Sequence, residues 1–216
     1  MKINPEMMRL YAVTDRHWLG GKTLVQQVEE ALKGGVTCVQ LREKNLDEES
    51  FLKEAIALKE VCHAYHVPLL INDNIEIALK SGADGVHIGQ NDMPVEQARN
   101  LLGEDKIIGV TAKTVEQALD AQNHGADYLG SGAMFASSTK TDAIRIDYQT
   151  FREICQAVRI PVVAIGGITK ENISQISGLG MDGIAVITAI FSAEDIQQAC
   201  QELRVLSEQI VCDIKK

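Results

Sequence analysis

The stretch Gly82-Ala83-Asp84-Gly85-Val86 recurs in two close variants, Gly125-Ala126-Asp127-Tyr128-Leu129 and Gly180-Met181-Asp182-Gly183-Ile184. A fourth stretch, Gly34-Gly35-Val36, is a shorter form of the same pattern. In each copy a helical pattern ends at the glycine, and an apolar run begins directly after the turn. Glycine readily adopts the left-handed conformation that ends many helices, which other residues adopt less easily. The pattern therefore predicts a helix, a tight turn and a strand at four places.

Strand and helix patterns alternate on both sides of these copies, from one end of the chain to the other. Helical periodicity fills the gaps between strands, and Thr23-x-x-Gln26 and Thr114-x-x-Gln117 have the form of capping boxes at helix starts. Eight apolar runs have the length of strands: Leu10–Val13, Val36–Leu41, Leu69–Ile71, Gly85–Ile88, Ile107–Val110, Tyr128–Gly130, Val162–Ile165 and Gly183–Val186.

Eight strand–helix units in 216 residues predict an α/β fold, the (β/α)8 TIM barrel at its minimal size. A doubly wound open sheet is the alternative, although such a sheet rarely needs eight strands at this length. No linker or low-complexity stretch divides the chain, so we expect residues 1–216 to form a single domain. The one long connection, residues 131–147, is rich in Ser, Thr and Gly, and such a loop is often a lid or binding loop.

The composition limits the classes of function. Apolar residues make up 45% of the chain and aromatic residues only 4%, which is typical of parallel sheets buried on both faces. A net charge of −9 and a pI near 5.1 argue against a nucleic-acid or membrane surface. No apolar run is long enough to span a membrane, and Met1-Lys2-Ile3-Asn4-Pro5 lacks the core of a signal peptide. The five cysteines form no C-x-x-C pair, which favours reduced thiols in a cytoplasmic protein.

In a barrel of this kind, the side chains that follow the strand ends form the active site. Thr14-Asp15-Arg16 follow the first strand, where a local ion pair would close the rim. The second strand ends in an amide and two cations spaced two residues apart, which alternation places on one side: Gln40, Arg42 and Lys44. Arginine grips phosphate through two hydrogen bonds, and lysine adds a mobile charge. The alternative is a solvated strand end whose cations are neutralised by Glu43 and Asp47.

Carboxylates follow the next two strands. Asn72 and Asp73 end the third strand, and Asp92 follows the fourth. Together the two carboxylates could hold one Mg²⁺ through oxygen, with water and substrate oxygens in the remaining positions. Each has a structural alternative, since Asp73 could cap the following helix and Asp92 could play a capping role at the next one. His87 is interpreted as a packed barrel histidine, because no second histidine has the spacing of a zinc site.

Hydroxyls, lysines and glycines follow the remaining strands. Thr111 and Lys113 follow the fifth strand, and the loop after the sixth carries Ser137-Ser138-Thr139-Lys140, which suits an oxyanion but also a merely soluble loop. The seventh strand runs into Gly166-Gly167 and the eighth into Ile187-Thr188. Glycines let backbone amides approach an anion, and barrels often bind phosphate at these two strand ends, although the glycines could serve only tight turns. Two anionic sites are therefore expected at one rim.

Five motifs occur in a specific order and spacing across nearly the whole chain: Val39-Gln40-Leu41-Arg42-Glu43-Lys44, Ile71-Asn72-Asp73-Asn74, Gly85-Val86-His87-Ile88-Gly89-Gln90-x-Asp92, Thr139-Lys140-x-Asp142-Ala143 and Ile165-Gly166-Gly167-Ile168. As a set they closely resemble the thiamine-phosphate synthase family. The resemblance implies a (β/α)8 enzyme that joins hydroxymethylpyrimidine diphosphate to thiazole phosphate and releases thiamine phosphate and pyrophosphate. Its partners would be these phosphorylated small molecules, with Mg²⁺ as cofactor. A homo-oligomer is compatible with the sequence, whereas nucleic acid and membrane partners are not expected.

The resemblance also implies a role for each matching position. The pyrimidine diphosphate would be bound by Gln40, Arg42, Lys44, Asn72, Thr111 and Lys140, with Thr111 standing where many relatives have serine. The thiazole phosphate would be bound by Ser137, Ser138, Thr139, Gly167, Ile187 and Thr188. The metal would be bound by Asp73 and Asp92. The catalytic cations would be Arg42, Lys44 and Lys140.

The chain departs from the family in the long loop, where relatives commonly have proline after the glycine and threonines flanking the tip. Here the loop reads Gly132-Ala133-Met134-Phe135-Ala136-Ser137-Ser138-Thr139, so serine keeps the hydroxyl. Three other functions compete with synthesis of thiamine phosphate. The thiazole tautomerase branch handles only a thiazole phosphate and does not need the diphosphate and metal residues. The others are a non-catalytic regulator that binds a phosphorylated ligand and a phosphosugar epimerase, which would need two acids paired across a sugar carbon.

Overall fold

A computed structural model describes residues 3–136 and 144–211. Eight parallel strands close into a barrel in sequence order, and the last strand pairs with the first. The strands are β1 (Leu10–Val13), β2 (Cys38–Leu41), β3 (Leu69–Asn72), β4 (Gly85–Ile88), β5 (Ile107–Thr111), β6 (Tyr128–Ser131), β7 (Val162–Ile165) and β8 (Gly183–Val186). The predicted (β/α)8 barrel is confirmed, and the open-sheet alternative is wrong.

Helices surround the barrel, and the connection after β7 is the exception to the alternation. The α-helices are α1 (Leu24–Lys33), α2 (Glu48–Ala64), α3 (Ile75–Ser81), α4 (Val95–Leu102), α5 (Val115–Asn123), α6 (Tyr148–Ala157), α7 (Thr188–Phe191) and α8 (Ile196–Val211). Between β7 and β8 the described structure has only a 3-10 turn, Ile173–Ile176. Two further 3-10 turns, Pro5–Met8 and Arg16–Trp18, flank β1.

The even-numbered strands begin beside a polar side chain that accepts a hydrogen bond from the preceding strand. The acceptors are Thr37, Asp84, Asp127 and Asp182, and the donors are the backbone amides of Leu10, Leu69, Ile108 and Val162, at 2.8–2.9 Å. The Gly-x-Asp part of the repeat therefore stabilises the barrel, because it satisfies a backbone donor at the N-terminal edge of each strand pair.

The predicted helix starts are confirmed in one case fully and in the other in part. Thr23 accepts from the backbone of Gln26, whose side chain accepts in return from Thr23, so this capping box is complete. Thr114 accepts from the backbone of Gln117, but the Gln117 side chain accepts from the amide of Lys113 instead. The second helix thus has the cap without the reciprocal bond.

Side chains that point into the barrel form a core of their own, separate from the layer between barrel and helices. This inner core contains Met8, Tyr11, Val13, Cys38, Leu70, Ile107, Tyr128, Val163 and Ala185. The rings of Tyr11 and Tyr128 meet edge to face, with centroids 5.9 Å apart. A Cβ on Gly109 would overlap the Tyr128 ring, so glycine on β5 makes room for this tyrosine.

The cysteines and the helices of the described residues bear on two expectations drawn from composition. No disulfide joins the four cysteines among them, Cys38, Cys62, Cys155 and Cys200. Over residues 3–136 and 144–211, no helix is both long and apolar enough to cross a bilayer. Cytoplasmic location, a homo-oligomer and the lack of nucleic-acid binding stay predictions.

Candidate active site

A cavity opens at the C-terminal ends of the strands, and residues from all eight strands or their ends line it. The residues singled out from sequence that meet there are Gln40, Arg42, Asn72, Thr111 and Ile187. Tyr11, His87, Lys113 and Tyr128 also line its wall and floor. The barrel therefore gathers at one mouth the polar side chains that follow separate strands in the sequence.

The two cations after β2 are not neutralised by the acidic residues next to them in the chain. The Glu43 side chain is only 4% exposed and pairs with Arg16, at 2.8 Å. Asp47 caps α2 by accepting from the amide of Ser50. Among residues 3–136 and 144–211, no carboxylate oxygen lies within 4.0 Å of the side-chain nitrogens of Arg42 or Lys44. The interpretation of a self-neutralised strand end is therefore wrong.

Arg16 forms an ion pair at the rim after β1 as expected, but its partners come from other elements, while the Asp15 side chain accepts from the amide of His17. Arg16 Nε lies 3.1 and 3.2 Å from the two oxygens of Glu43, and Arg16 also pairs with Glu54 of α2. The buried hydroxyl of Thr14 accepts from the backbone amide of Arg42 at 3.0 Å. These contacts hold the start of the cationic segment against the rim.

Asp73 has an unusual backbone conformation for an aspartate. Its φ is +61°, and its amide donates to the carbonyl oxygen of His87 on the next strand at 2.8 Å. Its carboxylate accepts from the side-chain amide of Asn72, Nδ2, at 2.5 Å. The residue does not cap α3, because Asn74 accepts from the first turn of that helix. The predicted capping alternative is therefore wrong for Asp73. Non-glycine residues in the left-handed region are often found at active sites and ligand-binding sites.

Asp92 also lacks the capping role considered for it. Helix α4 has Pro94 at its N-cap and no side-chain capping bond. The Asp92 carboxylate instead accepts from the amide of Gly89 at 2.6 Å, which closes the loop after β4. This contact brings it beside the carboxylate of Asp73. The pKa of Asp73 is raised to about 6, first by partial burial and then by the neighbouring Asp92, while Asn72 and Arg42 oppose the shift.

Two carboxylates facing each other suit a divalent cation, because a cation would offset their repulsion, which adds to the effect of burial on the Asp73 pKa. The described residues contain no group of three His, Cys, Asp or Glu side chains that could hold a metal. Mg²⁺ commonly binds through one or two carboxylates together with water and substrate phosphate oxygens. The donor set therefore fits Mg²⁺ and does not resemble a zinc site.

A chain of side-chain hydrogen bonds crosses the floor of the cavity. It runs from Gln40 through Tyr11, Tyr128 and His87 to Thr111, with steps of 2.7, 2.8, 2.8 and 2.9 Å. Burial lowers the pKa of His87 to about 4, against a smaller opposing effect of Asp92, so the ring is neutral at neutral pH. His87 is a packed barrel histidine as predicted, but both of its nitrogens are engaged.

Sequence reasoning did not assign these two tyrosines to the site. Tyr11 lies on β1 two residues before Val13, and Tyr128 is the first residue of β6. Each lies in an apolar run, which predicts only burial. The available signal was their rarity, since only four tyrosines occur in the chain. A buried tyrosine hydroxyl needs a hydrogen-bond partner, which makes a tyrosine inside a barrel a candidate for a polar contact.

The residues expected at the second anionic site line a small depression at the ends of β7 and β8. Gly167, Ile187 and Thr188 all border it. Gly166 and Gly167 have φ of +99° and +63°, and a Cβ on Gly167 would overlap the carbonyl oxygen of Ala136. The close approach of the loop after β6 therefore requires glycine here, in addition to any role toward phosphate.

The long loop is fixed at its base. Met134 and Phe135 donate backbone hydrogen bonds to Ile165 and Gly166, at 3.0 and 2.9 Å, and Ile146 donates to Ala133 at 3.1 Å. The loop therefore leaves β6 along the end of β7, beside the second depression. The predicted binding residues at its tip, Ser137, Ser138, Thr139 and Lys140, lie outside the described residues. Lys44 is described, but it is exposed and does not line the main cavity.

Comparison with known proteins shows the family. A family model described as thiamine monophosphate synthase matches residues 10–190. The chain belongs to the thiamine monophosphate synthase family. The match covers all eight strands and every residue assigned to the site.

Individual relatives named thiamine-phosphate synthase match this chain over most of both sequences. A thiamine-phosphate synthase from Clostridium tetani is 50% identical over 194 residues, which cover 90% of this chain and 93% of the relative. One from Clostridium acetobutylicum is 51% identical over 189 residues, covering 88% and 90%. The solved thiamine phosphate pyrophosphorylase from Pyrococcus furiosus superimposes with a TM-score of 0.88 at 39% identity, covering 96% of this chain and 98% of that one. As a member of the thiamine monophosphate synthase family, this chain is an enzyme of the transferase class.

Proposed function

We propose that this chain joins hydroxymethylpyrimidine diphosphate to thiazole phosphate, giving thiamine phosphate and pyrophosphate. The observation that carries the proposal is the pairing of Glu43 with Arg16, which leaves Arg42 and Lys44 without a carboxylate partner in the described structure. Arg42 lines the cavity, and Lys44 is exposed two residues further along the chain. Two unneutralised cations on this segment, together with two facing carboxylates, suit a diphosphate carried with a divalent metal. Membership of the family supports the same chemistry.

In the proposed complex the pyrimidine ring lies in the cavity and its diphosphate lies at the rim. Gln40, Asn72 and Thr111 contact the ring end, since all three line the cavity. Arg42, Lys44 and Lys140 bind the diphosphate. Asp73 and Asp92 would hold Mg²⁺, which when bound neutralises part of the charge on the leaving pyrophosphate.

The chain's own residues contribute position and charge to this reaction. Arg42 and Lys44 stabilise negative charge as the bond between the methylene carbon and the diphosphate oxygen breaks. The electron-rich aminopyrimidine delocalises the positive charge left on the methylene carbon. The thiazole nitrogen attacks with its own lone pair, so the proposed step needs no general base.

The thiazole phosphate is proposed to bind at the depression between the ends of β7 and β8. Gly167, Ile187 and Thr188 border this depression, which adjoins the main cavity through Gly166 and Ile187. Ser137, Ser138 and Thr139 complete the proposed phosphate site. The shared wall would set the thiazole ring beside the methylene carbon that it attacks.

The test is to mix the purified protein with both phosphorylated halves and Mg²⁺ and to detect thiamine phosphate and pyrophosphate. Formation of both, and its loss with a chelator, is expected. Isomerisation of a thiazole phosphate without coupling would instead support the tautomerase branch. Tight binding of a phosphorylated half with no turnover in the presence of both halves would support a regulator.

Arg16→Met is expected to raise KM for the pyrimidine diphosphate by about tenfold. Without Arg16, the Glu43 carboxylate loses its cation and competes with the diphosphate for Arg42 and Lys44, at a loss of about 1.4 kcal/mol. The measurement is steady-state kinetics with the pyrimidine diphosphate varied.

The double variant Arg16→Met with Glu43→Gln should recover most of that KM, because the competing charge is gone. Arg204→Met, which removes an ion pair with Glu208 on the outer helix α8, is the matched control and should leave KM unchanged. Failure of Glu43→Gln to rescue the Arg16 variant would reject the idea that Arg16 frees the two cations.

Binding of Mg²⁺ should weaken as the pH falls through about 6. In the metal-free protein Asp73 takes up a proton below that pH, since its pKa is raised to about 6, and the protonated carboxyl binds the cation poorly. The apparent affinity should then fall by up to about tenfold per pH unit below 6 and be level above 7. Calorimetric titration with Mg²⁺ in the presence of pyrophosphate measures this. Asp73→Asn should bind weakly at every pH, and a wild-type affinity that does not change between pH 5 and 7 would contradict the assignment.

A further inference from the structure

The floor of the cavity contains an uninterrupted hydrogen-bonded chain whose two ends are both available to the ligand. Gln40 Nε2 donates to Tyr11 Oη at 2.7 Å, and the hydroxyls of Tyr11 and Tyr128 lie 2.8 Å apart. His87 Nδ1 lies 2.8 Å from Tyr128 Oη, and His87 Nε2 lies 2.9 Å from Thr111 Oγ1. All five residues line the cavity.

The direction of hydrogen-bond donation along this chain is set at the Gln40 end. Since Gln40 Nε2 donates to Tyr11, the single hydroxyl hydrogen of Tyr11 must go to another acceptor. Tyr128 Oη is the strong acceptor in reach, because the neighbouring thiol of Cys38 accepts weakly. Tyr11 therefore donates to Tyr128, and the hydrogen of Tyr128 is left for His87 Nδ1.

A neutral imidazole carries one N–H proton, so a ring that accepts a hydrogen bond at one nitrogen donates at the other. With Nδ1 accepting from Tyr128, the proton lies on Nε2, which donates to Thr111 Oγ1. Burial in the barrel keeps the ring neutral. The Thr111 hydroxyl has no other side-chain partner among the described residues, so its hydrogen is left for the ligand. At the other end, Gln40 Oε1 makes no hydrogen bond within the described part of the chain and is left as an acceptor.

We infer that Tyr11, Tyr128 and His87 are positioning residues that fix the hydrogen-bond polarity of the cavity, with an acceptor at Gln40 and a donor at Thr111. The two ends are coupled, because reversing one bond while the others stay leaves a tyrosine hydroxyl hydrogen without a strong acceptor. The ligand must then offer a donor toward Gln40 and an acceptor toward Thr111.

This inference rests on the proposed function for the identity of the ligand. An aminopyrimidine offers an amino N–H donor and a ring-nitrogen acceptor, which match the inferred polarity. A pyrimidinone, in which a carbonyl oxygen replaces the amino group and an adjacent ring nitrogen carries hydrogen, offers the opposite pattern. The chain of five residues therefore selects the amino form, since the oxo form would leave buried polar groups unpaired.

The tautomer of His87 tests the polarity without any substrate. Protein labelled with ¹⁵N-histidine is examined by NMR at pH 7.5, and the His87 signals are assigned from their absence in His87→Gln. The expected spectrum shows a neutral ring protonated on Nε2. A ring protonated mainly on Nδ1 would overturn the inference, whether or not the protein makes thiamine phosphate.

The second measurement is the preference for the aminopyrimidine diphosphate over its oxo analogue, as a ratio of dissociation constants, because the amino group also affects the rate of the chemical step. We expect a preference of about 100-fold or more in the wild type and of less than about 10-fold in Tyr128→Phe, where the two ends are uncoupled. Tyr65→Phe removes a tyrosine hydroxyl that contacts Glu29 on the outer surface and should keep the wild-type ratio. Thr111→Ser keeps the hydroxyl and should keep it too, whereas Thr111→Val should lose it.

Three results separate the explanations. A Tyr128→Phe variant that is folded and keeps the full preference overturns the inference. If that variant unfolds, the Thr111→Val and Thr111→Ser pair decides, because equal ratios in the two would overturn it as well. A protein that turns over neither pyrimidine but shows the Nε2–H tautomer refutes the proposed function while supporting the polarity.

Discussion

Asp73→Asn is expected to lower kcat by about 100-fold or more at saturating substrates and millimolar Mg²⁺. The change keeps the size of the side chain and removes the charge that would hold the metal beside the leaving pyrophosphate, and loss of one such electrostatic contact commonly costs two to three orders of magnitude. Asparagine tolerates the φ of +61° at this position, so the backbone should not change. Initial rates of pyrophosphate release measure the effect. Asp92→Asn should act in the same direction.

The same substitution should not destabilise the metal-free protein. The pKa of Asp73 is about 6 in the folded state, above its ordinary value of 3.8, so the folded state disfavours the charged form. That unfavourable contribution is present above pH 6 and disappears as the pH falls below about 4. At pH 8, Asp73→Asn should therefore melt at the same temperature as the wild type or higher.

A matched control comes from a helix cap elsewhere on the chain. Asp195 accepts from the amide of Gln198 at the start of α8, and Asn can take over that bond. Asp195→Asn should leave both kcat and the melting temperature close to those of the wild type. A wild-type rate in Asp73→Asn, or equal rates with and without a chelator, would reject the metal assignment.

Gly85→Ala is expected to lower the free energy of unfolding by about 3 kcal/mol or more. A Cβ on Gly85 would overlap the carbonyl oxygen of Ile107 and lie 2.6 Å from its carbonyl carbon. Both atoms belong to the backbone where β4 pairs with β5, so the clash is relieved only if the two strands separate. Urea unfolding followed by circular dichroism measures the loss.

Gly21→Ala separates crowding from backbone conformation. Gly21 has a φ of +89°, and a Cβ there would have no neighbour within 4 Å. That variant should lose only about 1 kcal/mol, from the strained φ alone. Equal losses in the two variants would show that the contact with Ile107 is not what requires glycine at the start of β4.

The positions of the strands were largely predictable from the sequence. The eight apolar runs and the glycine repeat predicted all eight strands, with ends that differ by one or two residues in β2, β3, β5 and β6. The helix expected after β7 is only a 3-10 turn, Ile173–Ile176. The repeat predicts where these strands begin, but it does not predict the bonds from its aspartates to the neighbouring strands. A sequence repeat can show that a strand begins near a residue, but it cannot show which backbone amide of the adjacent strand lies opposite that residue.

The candidate site shows the same limit. Alternation correctly placed Gln40 and Arg42 together at the cavity, whereas Lys44 is exposed and does not line it. It could not decide whether Glu43 neutralises them, because that depends on Arg16, which is close only after β1 and β2 pair. The capping interpretations of Asp73 and Asp92 followed ordinary preferences and were wrong, since a left-handed turn at one residue and a loop bond at the other redirect both carboxylates.

The sequence by itself determined that eight parallel strands close into a barrel and that polar side chains follow their ends, because hydrophobic period and turn chemistry act between residues close in the chain. Only the tertiary structure decided which charges pair and which stay open to a ligand. It also joined Gln40, Tyr11, Tyr128, His87 and Thr111 into one chain of hydrogen bonds. Hydrogen bonds and ion pairs act over about 3–4 Å, and the strand register that sets those distances forms only when the barrel closes.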